Sequence, residues 1–167
     1  MVDLRGSGSD AAEEPRDELL REIILDHYLN PEGREPLHRT DAEWHGRNPL
    51  CGDEVTVRLQ LGGGRVEGIQ VVGHGCTISM ASASILASLV RGRSVTEARR
   101  VLGALRSILR GEEPPKGLEI GDLWALRGLR ELPVRIKCAL LPWTTFEEAL
   151  EHGGVAGSLE VGGGQDG

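Results

Sequence analysis

Apolar positions first recur regularly after about residue 16. Leu19, Leu20, Ile23, Ile24, His27 and Tyr28 follow helical spacing from Asp17 and define one face of a helix, which Asn30, Pro31 and Gly33 stop. Residues 31–50, with Pro36, Gly46 and Pro49, show little periodicity and read as a loop. The period then changes to two. Val55, Val57, Leu59 and Leu61 alternate with Thr56, Arg58 and Gln60, which predicts a half-buried strand. Gly62, Gly63 and Gly64 make a turn, and Val66, Ile69, Val71 and Val72 supply the returning strand of a hairpin. Beyond Gly73-His74-Gly75-Cys76 the period is helical again through Ile78, Ala81, Ile85, Leu86, Leu89 and Val90, up to Gly92. Cys76 therefore sits where a strand hands over to a helix N-terminus.

Ser94 and Glu97 form a capping box for the next helix, whose face is Val95, Ala98, Val101, Leu102, Leu105, Ile108 and Leu109. Residues 111–121, with Pro114 and Pro115, form a loop. Asp122 is placed to cap a short helix, Leu123–Leu129. Pro133 suits the first turn of a helix carrying Lys137 and Cys138 and ended by Pro142. Thr144 and Glu147 match a second capping box for a last helix to about Glu151. Residues 1–16 and the Gly-rich tail 153–167 are expected to be disordered, leaving one folded domain over 17–152. A helix, then strands, then helices is the signature of an α+β fold, a small antiparallel sheet with helices packed on one side.

Composition narrows the function. The chain has 167 residues, 39% hydrophobic and 27% charged, enough for one core, and with 3% aromatics that core is expected to be aliphatic. A net charge of -7 argues against nucleic acid or an anionic membrane as partner. No apolar run reaches the length of a membrane span and the N-terminus lacks a signal-peptide pattern, which points to the cytoplasm, where thiols stay reduced. Three cysteines, none closely spaced, do not make a disulfide framework and direct attention to metal or thiol chemistry.

Those cysteines are Cys51, Cys76 and Cys138. Asp53 lies two positions from Cys51 in the turn Asn48-Pro49-Leu50-Cys51-Gly52-Asp53. Three thiolates and a carboxylate are four donors, the number a tetrahedral zinc site needs. Such a site is closed by the fold, because 25 positions separate Cys51 from Cys76 and 62 separate Cys76 from Cys138. An oxygen ligand among thiolates exchanges readily, so the set describes a centre meant to open. Read singly, a cysteine is most often a small buried hydrophobe, and Asp53 is an ordinary turn residue. Cys51 in a polar turn and Cys76 at a Gly-flanked helix start depart from that reading. His27 is expected to be a hydrogen-bonded packing residue, and His74 to line the site loop without ligating. His38, His45 and His152 are expected to be solvated, and the basic run Arg91–Arg100 to be a solvated helix edge.

Asp26-His27-Tyr28, Asn48-Pro49-Leu50-Cys51-Gly52-Asp53, the run Gly73 to Ser84 and Arg135-Ile136-Lys137-Cys138-Ala139 together resemble the IscU/NifU N-terminal family of iron–sulfur cluster assembly proteins, over about residues 18–150. The resemblance implies a three-stranded antiparallel sheet and a metal site made of Cys51, Asp53, Cys76 and Cys138. Scaffold members of the IscU type carry a His before the last Cys. Here that position is Lys137, the neighbouring chaperone motif is altered to Glu131-Leu132-Pro133-Val134-Arg135, and the segment between Cys76 and Cys138 is longer. These departures resemble the SufU-like branch, which implies a Zn2+-dependent sulfur carrier of sulfurtransferase type. It would take persulfide sulfur from a SufS-type cysteine desulfurase onto Cys51 and pass it to downstream Fe–S assembly machinery. The alternative is a scaffold that builds and transfers a [2Fe-2S] cluster on the same four residues.

Overall fold

The structure, a computed structural model, describes residues 17–153. The ends expected to be disordered fall outside that range, apart from Gly153. Residues 17–29 form helix α1. Three strands follow, β1 (Ala42–Asn48), β2 (Asp53–Gly62) and β3 (Arg65–His74), antiparallel and in the order β1-β2-β3. Then come α2 (Thr77–Val90), α3 (Val95–Leu109), a 3-10 segment (Gly121–Glu131) and α4 (Pro133–His152). The fold is the expected α+β sheet with helices packed alongside.

The inner face of β2 carries Val55, Val57 and Leu59, all fully buried. On β3 the inner residues are Val66, Ile69 and Val71. A register shift between Gln60 and Leu61 lets Val66 and Ile69, an odd number of positions apart, both face inward. Helix α4 lies against β1 and β2, and α2 against β3 and α4. Ser94 caps α3 by accepting the Glu97 N–H at 3.0 Å, as its motif requires. The core is largely aliphatic, yet its two largest fully buried side chains are Trp143 and Phe146.

Several expectations need correction. Residues 31–50 are not all loop, since β1 occupies Ala42–Asn48. Its inward positions are Ala42, Trp44 and Gly46, and only Trp44 carries a large apolar side chain, so the period-two signal is faint. The two helices expected on either side of Pro142 are one continuous helix, α4. Pro142 has no N–H to give to the Cys138 carbonyl. The Thr144 hydroxyl donates to the Leu140 and Leu141 carbonyls at 3.2 Å, and that of Thr145 to Leu141 at 2.7 Å, so both threonines bond backward instead of opening a new helix. Burial of Ala139, Trp143 and Phe146 in the core offsets the missing bond. Asp122 caps nothing: the turn over Gly121–Glu131 starts at Ile120 without a side-chain cap. On α1, Ile24 packs on the core and His27 is buried, but Leu19 and Tyr28 are exposed.

Candidate metal centre

The turn joining β1 to β2 presents Cys51 to solvent. Asn48 shapes it: its side-chain oxygen accepts the Leu50 N–H at 3.1 Å, and its carbonyl accepts the N–H of Gly52 at 2.8 Å and of Cys51 at 3.3 Å. Gly52, at φ 79°, takes the left-handed conformation that returns the chain into β2. Asp53 pairs with Asn48 and opens β2. Because strand side chains alternate, Asp53 shares the inner face with Val55, Val57 and Leu59, and its residue is only 3% exposed. Cys76 is the N-cap of α2. Cys138 stands in the second turn of α4 and is 1% exposed.

Three of the four predicted donors converge closely. The sulfurs of Cys51 and Cys138 are 4.0 Å apart, and one donor atom each from Cys51, Asp53 and Cys138 lie within 4.8 Å of one another. Cys76 borders this group. Its sulfur accepts the Ser79 N–H at 3.5 Å, as an N-cap does. Asp53 holds the same helix end: Oδ1 accepts the Cys76 N–H at 3.2 Å, and Oδ2 accepts the Ser79 hydroxyl. Gly75 makes this approach possible, since a Cβ there would stand 2.8 Å from the Asp53 carboxyl carbon.

Burial pushes the Asp53 carboxyl up, but hydrogen bonds from Ser79, Cys51 and Cys76 outweigh it and hold the group below its ordinary value. Cys138 moves the other way. Burial first, then the neighbouring thiols of Cys76 and Cys51, push it from 9.0 up to about 12. A carboxylate beside crowded thiols that cannot all ionise is a donor set short of positive charge. A bound cation supplies that charge and displaces the thiol protons, so these residues fit a metal ion.

The remaining sequence candidates sort clearly. His27 is buried at 7% exposure, with Nδ1 2.7 Å from Ser84 Oγ and Nε2 2.8 Å from Asp122 Oδ2, a hydrogen-bonded packing residue as expected. His74 is exposed and outside the donor group, as is Lys137. His45 is not a free loop residue: on β1 it lies 2.9 Å from Thr56 Oγ1 and 3.2 Å from Glu54 Oε1. Within the basic run, Arg93 is not simply solvated, since it donates to the carbonyls of Leu89 at 2.6 Å and Glu119 at 2.7 Å. Sequence reasoning missed Ser79. It also missed the exposed apolar rim of Leu50, 77% exposed next to Cys51, and Val134, 68% exposed and one helical turn before Cys138.

A three-stranded sheet whose β1–β2 turn, middle strand and two flanking helices deliver thiols and a carboxylate to one end defines a small α+β domain with a candidate metal centre. Residues 19–151 match the NifU-like N terminal domain, and the chain belongs to that family. It is 36% identical over 140 residues to the zinc-dependent sulfurtransferase SufU of Bacillus subtilis, spanning 83% of this chain and 95% of the relative. To the iron–sulfur cluster assembly scaffold protein IscU of Streptococcus pyogenes it is 32% identical over 130 residues, spanning 78% and 81%. Among solved structures it resembles the SUF-system cluster assembly scaffold protein of Fervidobacterium islandicum AW-1, with a TM-score of 0.72, 29% identity, and coverage of 77% of this chain and 94% of that one. No helix among the described residues is long and apolar enough to cross a membrane.

Proposed function

We propose that this protein is a zinc-dependent sulfur acceptor in iron–sulfur cluster assembly, loaded by a SufS-type cysteine desulfurase. The observation that carries the reading is the pairing of an exposed thiol, Cys51, with a buried thiol, Cys138, 4.0 Å away and beside a buried carboxylate. Zinc bound by Cys51, Asp53, Cys76 and Cys138 supplies positive charge that keeps thiols deprotonated at neutral pH. Cys138, Asp53 and Cys76 are fixed by a helix, a strand and a helix start. Cys51 sits on a turn at the surface, so it is the donor a partner can reach, and exposed Leu50 and Val134 beside the thiols offer that partner an apolar contact.

In the transfer, the Cys51 thiolate attacks the terminal sulfur of the desulfurase persulfide. The S–S bond breaks, its electron pair leaves with the desulfurase cysteine as thiolate, and Cys51 carries the new persulfide. No external oxidant or reductant enters. Likeness to the SufU relative supports this reading, as does Lys137 in the position where scaffold members carry His. The second reading, a scaffold for a [2Fe-2S] cluster, is favoured by likeness to the IscU relative and by the same donors, since thiolates bind iron as well as zinc.

The test is persulfide transfer from a purified SufS-type desulfurase, followed by mass spectrometry of this chain. The wild type gains one sulfur on Cys51, and Cys51→Ala gains none. Full sulfur acceptance by Cys51→Ala overturns the assignment of the acceptor.

A further inference from the structure

The Asp53 carboxylate occupies an inward position on β2, in line with three fully buried aliphatic residues. A charge there is tolerated only if its oxygens are engaged. Each oxygen has one donor from the first turn of α2: the Cys76 N–H on Oδ1 and the Ser79 hydroxyl on Oδ2. Anchored at both oxygens, a planar group cannot turn about its terminal bond, and each oxygen keeps a lone pair for another partner. Ser79 is fully buried, and its hydroxyl also lies 3.5 Å from Cys76 Sγ. It therefore touches two of the four predicted donors while belonging to none.

In a capping box the third helical residue reaches back to the N-cap backbone N–H. Here that N–H is taken by Asp53 from another strand, and the third residue, Ser79, holds Asp53 instead. The end of the helix and the donor set are one hydrogen-bonded unit.

We propose that Ser79 is a positioning residue for the metal centre, its hydroxyl fixing the Asp53 carboxylate in the orientation that faces Cys51 and Cys138. The inference rests on the reading of this cluster as a metal centre. It assigns Ser79 no contact with the metal and no step in sulfur transfer. The hydroxyl acts through Asp53, and the backbone N–H of Ser79, which Cys76 uses for capping, is untouched by loss of the side-chain oxygen.

A double-substitution cycle on the full chain separates this role from simple packing. Zinc affinity is measured by chelator competition for the wild type, Ser79→Ala, Asp53→Ala and the double variant, alongside the melting temperature of each metal-free protein and the visible spectrum of each cobalt(II)-substituted protein. Ser79→Ala is expected to weaken zinc by about 10–100-fold, the range found when a supporting partner of a ligand is removed, and to shift the cobalt bands. In the Asp53→Ala background it is expected to do neither. Equal zinc affinity and unchanged cobalt bands in Ser79→Ala, or an equal loss of affinity in both backgrounds, overturn the proposal. A wild type that takes up neither zinc nor cobalt overturns the metal-centre reading itself, and the proposal with it.

Discussion

Two of the polar clusters among the described residues are built on opposite principles. The first joins α1, α2 and the 3-10 segment. His27 sits between Ser84 and Asp122, and Ser84 Oγ also accepts the Glu32 N–H at 2.8 Å. One ring nitrogen donates to a carboxylate, the other meets a hydroxyl, and the hydroxyl accepts from backbone. Donors match acceptors, so the cluster closes on itself. Ser84 is buried, so despite its serine, histidine and aspartate this chain of bonds offers no nucleophile to a substrate. The second cluster, at the start of α2, crowds three thiols and a carboxylate. Its carboxylate is well satisfied, but the Cys51 and Cys138 thiols face each other, a pairing that a cation would suit. The contrast teaches how a binding centre differs from a clasp: one is self-complementary, and the other is complementary to something absent from the chain.

Removing a donor has the largest expected effect. Cys138→Ala is expected to abolish tight zinc binding, read by chelator competition, whereas His27→Ala leaves zinc stoichiometry at the wild-type level. His27→Ala should instead lower stability by about 2 kcal/mol in denaturant unfolding, because it strips two hydrogen bonds, one of them buried. A pH experiment sharpens the contrast further. In protein stripped of metal, Cys138 is held protonated up to about 12, while in the unfolded chain it ionises near 9.0. Above 9.0 the folded state therefore binds more protons than the unfolded state. The stability this group contributes is complete below 9.0 and is lost as pH rises toward 12. Zinc-loaded protein, whose thiol protons are already displaced, should show a smaller loss over that window in melting scans. The smallest effect is expected from Asp122→Asn, which keeps an acceptor for His27 at a half-exposed position: a change within about 1 kcal/mol and none in zinc binding.

How far the sequence could be read follows the range of the interactions. Elements written in local periodicity were legible: the alternation of β2, the glycine turn after it, the Ser94 cap of α3, and Cys76 at the start of α2. The candidate donors were visible as residue types, because the chain holds three thiols and Asp53 stands two positions from one of them. What local pattern could not show was decided by partners far away. Strand β1 exists because β2 offers it an edge, and two of its three inward positions are small. Asp122 has the residue type of a cap but spends its carboxylate on His27, 95 positions earlier. Pro142 marks a helix end by local rules, which the packing of Trp143 and Phe146 overrides. Ser79 stands at the third position of a helix, a visible signal, but its partner Asp53 lies 26 positions away on another element.

The central claim, that Cys51, Asp53, Cys76 and Cys138 form a zinc centre serving sulfur transfer, is tested most directly by the metal and acid-labile sulfide content of the full chain purified without oxygen. The expected result is about one zinc per chain, no sulfide and no visible colour, as a four-donor zinc site requires. Iron with matching sulfide in a brown protein would contradict the sulfur-acceptor reading in favour of the scaffold, and protein free of any metal would contradict both.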